Sequence, residues 1–308
     1  MAETWRATRA HLQPKTVASY DSALRSRVLP RWGAVPVSRV TYENVAAWVA
    51  AMQTEGLSAA RCRYVFGVLR MVLDDAVKAG RLARNPAGDV DNLPKLPTTE
   101  RRYLSHEQVA ALAAVAGPYR TLVLTLAYTG LRWGEAAALR VGRVDLMRRR
   151  LEVAEAMTEV SGRALFGPPK TYAHRSVPVP RFLRDDLAVQ LAGKSPDDLV
   201  FVSPAGAVLR VGNWRRQCFD LAVREAGLDL TPHALRHTAA SLAIASGASV
   251  KSVQRMLGHK SAVLTLDLYG HLYEDDLDAV ADRLHDARVP RARPEGVITP
   301  LTQRETGS

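Results

Sequence analysis

Between Asn85 and Pro97 the chain carries a stretch that no helix or strand can run through. Asn85-Pro86, Gly88, Pro94 and Pro97 interrupt it every few residues, and no hydrophobic period survives there. Each proline removes a backbone donor and fixes φ, so regular structure must stop on either side. A chain of 308 residues is about twice the size of a common single domain, so the break fits two separately cored units. We place a linker at 86–102, between a helical unit at 1–85 and a larger unit at 103–286. An aperiodic tail rich in Arg, Pro, Gly and Thr follows at 287–308.

The front unit reads as helices alone. Pro14-Lys15-Thr16 opens a run with Val17, Tyr20, Leu24 and Val28 at helical spacing, which Pro30 is expected to stop. Thr41 can cap a second helix through about Met52, and Ser58 a third through about Ala79, where Gly80 ends it. In the larger unit Ser105 and Gln108 fit a capping box, and helical signals continue through Leu139. The texture then changes. Leu151 to Met157 alternates at period two, and Arg175 to Val179 is another extended piece beyond a turn at Gly162. Helices resume at Arg181, Asn213, Pro232, Val250 and Glu274. The fold class is therefore mainly α with a small antiparallel sheet of two or three strands, and no internal repeat is visible.

Composition removes whole classes of function. Hydrophobic residues make up 47% and charged residues 24%, enough for buried cores and unlike a disordered chain. No apolar run reaches the roughly 18 residues of a membrane span, since the longest, Val109 to Leu131, is broken by Pro118 and Arg120. No apolar block marks a secretory signal, and two cysteines, Cys62 and Cys218, build neither a disulfide framework nor a multi-cysteine zinc site. The chain reads as soluble and cytoplasmic. Its net charge is +11 with a sequence pI near 10.0. Arg outnumbers Lys by 35 to 7, a ratio that a GC-rich genome alone could set. The net charge is not explained that way, and it points to a polyanionic partner. Residues 1–95 carry 14 Lys and Arg against 8 Asp and Glu, so the front unit shares the surplus.

No GxxxxGK[ST], GxGxxG, HExxH or EF-hand string is present, which argues against a nucleotide-driven motor and a zincin. Cationic and imidazole groups instead cluster at helix starts. In Thr129-Gly130-Leu131-Arg132-Trp133-Gly134-Glu135 a glycine on either side of Arg132 lets backbone approach a ligand closely. Arginine beside glycine is also common at helix ends. In Thr231-Pro232-His233-Ala234-Leu235-Arg236-His237 the cap and the proline set a helix start, with His233 and Arg236 on one face as a phosphate site. His233 and His237, four apart, could instead bind zinc, although no third ligand of suitable spacing is evident. Leu257-Gly258-His259 and Tyr269-Gly270-His271 follow. Pro168-Pro169-Lys170-Thr171 with His174-Arg175 occupies the turn between the extended pieces. Each string alone suits an ordinary surface.

Together the strings TGLRWGE, PPKTYAHRSVPVP, HALRH, LGH and LYGH resemble the active-site set of the tyrosine recombinases, the phage integrase family. The likeness covers most of residues 10–285, and the wording TLDLYGH is closest to integrases of actinobacterial phages and mobile elements. It implies an all-helical core-binding domain followed by an α+β catalytic domain. Many members carry a further small N-terminal domain for separate arm sites on DNA. Here the helical segment starts within about a dozen residues of Met1, so the chain either works without arm sites or is a shortened form.

The resemblance also implies roles. Tyr269 attacks the scissile phosphate to give a 3′-phosphotyrosine, Arg132 and Arg236 clamp phosphate oxygens, and Lys170 protonates the 5′-oxygen. His233 assists proton movement at Tyr269, and His259 donates a hydrogen bond. Glu135 and His237 stand behind them, orienting Arg132 and the helix start. Tyr273 is expected to pack in the core. Such chemistry conserves the bond energy, so neither cofactor nor metal is expected. The implied partners are double-stranded DNA, three further protomers in a homotetramer on two duplexes, and accessory bending or directionality factors. Leu272, Leu277, Val280 and Leu284 could form an amphipathic helix that docks on a neighbour or packs at home. A tyrosine-using topoisomerase and a catalytically dead DNA-binding descendant are the competing readings.

Overall fold

The computed structural model describes residues 1–9, 11–97, 102–169 and 174–276, with 281–282, 284–285 and 288 beyond them. Lys170, the residues from 289 onward, and Leu277 and Val280 lie outside the described residues.

The front helices are α1 (Ala2–Ala7), α2 (Pro14–Ala23), α3 (Leu29–Trp32), α4 (Tyr42–Thr54) and α5 (Ala59–Lys78). Thr41 and Ser58 accept the backbone N–H of Asn44 and Arg61, so both caps fall where the sequence places them. Pro30 does not stop the first helix. A π turn over Leu24–Val28 joins α2 to α3, with the Leu29 N–H reaching back to the Leu24 carbonyl. Slipping the ladder by one residue there accommodates a proline without a donor, which sits at the second position of α3. Cys62, Val65, Phe66, Leu69, Val72, Leu73 and Ala76 of α5 form one buried stripe at three- and four-residue spacing. Trp5 is buried with them, and Trp32 meets Trp48 edge to face at 5.7 Å. Ala87 and Val90 also belong to this cluster, so the expected linker begins as chain packed on the front helices.

A second, separate core gathers residues from Leu104 to Tyr269. Its axis is α7 (Arg120–Thr129), which follows α6 (His106–Ala114). The Ser105–Gln108 capping box that opens α6 is present in full. Eight residues of α7, including Thr121, Thr125 and Thr129, are buried, as a helix apolar on every side requires. The Thr125 and Thr129 hydroxyls donate to carbonyls one turn back, so no hydroxyl is stranded. Helix α8 (Trp133–Ala137) follows, then the strands β1 (Val144–Asp145), β2 (Arg150–Val153), β3 (Ala156–Val160), β4 (Arg163–Gly167) and β5 (Arg175–Pro178).

The strands exceed the expected two or three and divide into two antiparallel sheets, β1-β2-β5 and a β3-β4 hairpin. The alternating run at 151–157 is split, because the chain leaves β2 at Val153 and enters the other sheet at Ala156. Ser161 and Gly162, both at positive φ, close the hairpin, which is the tight turn whose twist suits paired strands. The remaining helices are α9 (Leu183–Leu191), α10 (Val211–Trp214), α11 (Asp220–Glu225), α12 (Pro232–Ala245), α13 (Val250–Leu257) and α14 (Ala262–Tyr269). The sequence reading lacks α14, which Ser261 caps. A 3₁₀ segment, Gly270–Asp276, covers the start of the helix expected from Glu274, and the described residues 281, 282, 284, 285 and 288 beyond it are helical. Lys15 of α2 donates to the Glu159 carbonyl of β3 at 3.0 Å, linking the front helices to the hairpin.

Candidate active site

Helix α12 runs along α7, so the ends of these helices meet beside α8, α13 and α14. Gly130 ends α7 in the left-handed region at φ +64°, and a Cβ there would lie 2.6 Å from Leu257 Cδ2. This turn directs the chain through Leu131 into Arg132 at the start of α8. Gly134 has no room for a side chain either, because a Cβ would stand 2.4 Å from the Met157 carbonyl oxygen. The two glycines therefore let α8 nest between α13 and β3.

Arg132 is held by Glu135. The Arg132 backbone N–H donates to Oε2 at 2.8 Å, and its Nη1 to Oε1 at 2.9 Å. Glu135 is 2% exposed and takes two further bonds, from Arg175 Nη1 at 2.9 Å and Nη2 at 2.6 Å. Burial pushes the Glu135 carboxyl up, but the hydrogen bonds and positive charge of Arg175 and Arg132 outweigh it and hold the group below its ordinary range. Arg175 also donates from Nε to the Met256 carbonyl at 3.0 Å, which ties β5 to the end of α13. The sequence reading noticed Arg175 only as a basic residue of the turn. Its signal was an arginine at the start of a strand, four residues before a second apolar valine, and nothing local marks it as buried.

Arg236 is 4% exposed and donates to the backbone carbonyls of Gly130 and Leu257. Burial first, then the charge of Arg132, push its guanidinium down to about 9. His259 follows the left-handed Gly258, with Nδ1 2.9 Å from Thr265 Oγ1. Burial, Arg236 and Arg132 together push it down to about 4. Protein crowding, then Arg236 and Arg132, lower His233 as well, although its side chain is exposed at the start of α12. Thr231 holds the N-cap position with extended backbone but makes no side-chain cap bond. Each of these three shifts disfavours positive charge, through burial first and through neighbouring cations second.

Tyr269 ends α14 and is 1% exposed, its ring parallel to that of His259 at 6.4 Å. Expected to steady the start of α12, His237 instead places Nδ1 2.7 Å from the Tyr269 hydroxyl. Tyr103 and His271, which the sequence reading did not select, stack beside Tyr269, with 3.3 Å between the Tyr103 hydroxyl and His271 Nε2. Tyr273 is half-buried against the core and reaches the Ala248 carbonyl at 3.5 Å. The structure thus gathers Arg132, Glu135, His233, Arg236, His237, His259 and Tyr269, while Lys170 is outside the described residues. His233 and His237 meet edge to face at 4.9 Å. Among the described residues no group of three or more His, Cys, Asp or Glu is arranged to hold a metal. Nor is any described helix long and apolar enough to cross a membrane.

Comparison with known proteins points the same way. Residues 102–275 match the phage integrase family. The integrase of Mycobacterium phage FRAT1 is 30% identical over 251 residues, covering 78% of this chain and 74% of that protein. The tyrosine recombinase XerC of Corynebacterium efficiens is 30% identical over 271 residues, covering 83% and 81%. Among solved structures, the Tn1549 transposon integrase in complex with transposon right end DNA superposes with a TM-score of 0.78 at 20% identity, over 92% of this chain and 98% of that one. A lambda integrase tetramer bound to a Holliday junction gives 0.66 at 20%, over 85% and 76%. The sequence matches carry the family and the superpositions the fold: this chain belongs to the phage integrase family of tyrosine recombinases.

Proposed function

We propose that this chain cuts and rejoins duplex DNA at specific sites through a 3′-phosphotyrosine on Tyr269, and so moves a mobile element into or out of a chromosome. The observation that carries the reading is the shared pocket of Tyr269, Arg132, Arg236 and His259, in which burial first, and neighbouring positive charge second, lower Arg236 and His259. A scissile phosphate supplies the missing negative charge. Arg132 and Arg236 take its non-bridging oxygens, and His259 donates to the charge that develops as the phosphorus becomes five-coordinate. Tyr269 forms the new O–P bond, and Lys170 gives a proton to the departing 5′-oxygen. The front helices, with their surplus of basic residues, grip the opposite face of the duplex. Two duplexes require four protomers, as in the lambda integrase tetramer bound to a Holliday junction.

Trapping on a nicked suicide duplex tests the reading. The wild-type chain should give a covalent adduct whose peptide carries the 3′-phosphate on Tyr269. Tyr269→Phe should bind the duplex nearly as well and give none. An adduct on Tyr273, or one joined to a 5′-phosphate, would overturn it.

A further inference from the structure

We propose that His237, rather than His233, takes the phenolic proton of Tyr269 during attack. This rests on the phosphotyrosine reading above. A phenol keeps its proton to about pH 10, so attack at neutral pH needs an acceptor in contact with the hydroxyl. Tyr269 is 1% exposed, which limits direct access of bulk water.

Three histidines compete for the role, and geometry separates them. His237 Nδ1 lies 2.7 Å from the hydroxyl, within the range in which a general base works. His259 lies parallel to the Tyr269 ring, at an interplanar angle of 2°, and its Nδ1 is paired with Thr265 Oγ1. Held down to about 4, it is also a poor base. His233 stands one turn nearer the exposed helix start, its ring edge-on to His237 at 4.9 Å. Among the described residues, the titratable and charged groups around the pair include His233 and Arg236 on α12 and His259 between α13 and α14. Tyr103 packs against the Tyr269 ring at 6.4 Å and stacks in turn on His271.

The proton balance closes within these residues. As the Tyr269 oxygen bonds to phosphorus and the bond to the 5′-oxygen breaks, the phenolic proton passes to His237 Nδ1. The Nε2 of His237 keeps its own proton, which makes an imidazolium. The 5′-oxygen takes its proton from Lys170. On rejoining, the 5′-hydroxyl attacks phosphorus and gives its proton back to Lys170, while the imidazolium protonates the departing Tyr269 oxygen. The sequence reading, guided by family order, gave this work to His233. The structure assigns it to the residue four positions on, one turn deeper along the same face.

The test follows adduct formation by the full chain on the nicked duplex across the range where imidazole titrates, roughly pH 5 to 8. His237→Asn keeps a polar atom near Nδ1 but cannot take a proton. It should slow adduct formation by roughly 10²- to 10⁴-fold and abolish the acid-side fall in rate. His233→Asn should keep that fall. A fluorinated, more acidic tyrosine at position 269 should restore the His237→Asn rate far more than it changes the wild type. If the Asn variant no longer binds the duplex, His237→Gln serves for the same readings. The proposal is overturned if the acid-side fall survives in His237→Asn and disappears in His233→Asn, or if the acidic tyrosine restores nothing. A wild-type adduct on a residue other than Tyr269 counts instead against the phosphotyrosine assignment itself.

Discussion

The buried carboxylate of Glu135 holds two guanidiniums at once, so removing Glu135 leaves both without their counterpart, and removing Arg175 strips the carboxylate of its most buried partner. Glu135 is 2% exposed, and the Arg175 side chain is 8% exposed. Breaking such a pair from one side costs about 3–5 kcal/mol, because the remaining ion keeps its desolvation penalty and loses its partner. A folded domain holds about 5–15 kcal/mol in total, so each single change is severe. For a unit of this size each kcal/mol moves the melting midpoint by roughly 2–4 °C, so Glu135→Leu and Arg175→Met should each lower it by about 6–20 °C. The double variant, Glu135→Leu with Arg175→Met, replaces the pair by apolar side chains and should recover most of that loss. Its adduct formation should nevertheless stay near zero, because Arg132 has lost the carboxylate that aims it. Thermal melts and suicide-duplex trapping on all four chains provide the measurement. If the two single losses simply add in the double variant, with coupling below about 0.5 kcal/mol, the residues are not energetic partners and the reasoning fails. A catalytically active double variant would refute the tethering of Arg132 by Glu135.

Two further outcomes follow from the site. Lys170→Ala should cleave a normal duplex slowly but a duplex with a 5′-bridging sulfur at close to the wild-type rate, since a thiolate leaves without a proton, whereas Arg236→Ala should show no such rescue; equal defects of Lys170→Ala on both substrates would remove the general-acid role. Because His259 is held to about 4 in the folded chain against an ordinary 6.5, the unfolded chain binds more protons between those values, and stability should fall as pH drops through that window. A bound phosphate reverses the penalty, so duplex affinity should rise over the same window, and a slope unchanged in His259→Gln would sink the assignment.

What the sequence made legible was local. Thr41, Ser58 and Ser105 each sit three residues from the amide they cap, so short-range chemistry marks those helix starts. The strings around Arg132, His233, Arg236, His259 and Tyr269 name residues that the fold brings together, because each lies at a helix end aimed at one place. Contacts between distant segments were not legible. Arg175 reads as a basic residue of a turn, and its side chain is buried because Glu135, 40 positions earlier, and the Met256 carbonyl, 81 later, converge on it. His237 meets Tyr269 across 32 positions, a relation that helical spacing cannot reveal. The run from Leu151 to Met157 looked like one strand because alternation carries no mark of which sheet a residue joins. Pro30 misled for the opposite reason. The rule that proline stops a helix assumes the regular ladder, and a π turn changes the ladder.

The two arginines of the pocket are anchored in different currencies of sequence. Arg236 is positioned by the carbonyls of Gly130 and Leu257, which belong to the backbone and persist through side-chain replacement around them. Arg132 depends on the side chain of Glu135, and through it on Arg175. Neutral drift can therefore rewrite most residues around Arg236 while the helix ends stay in register. Around Arg132 a single exchange at Glu135 undoes the arrangement, and repair needs a coordinated second change. Among relatives as distant as those at 30% identity, the surroundings of Arg236 are free to vary, whereas Arg132, Glu135 and Arg175 are expected to be inherited or lost as one unit.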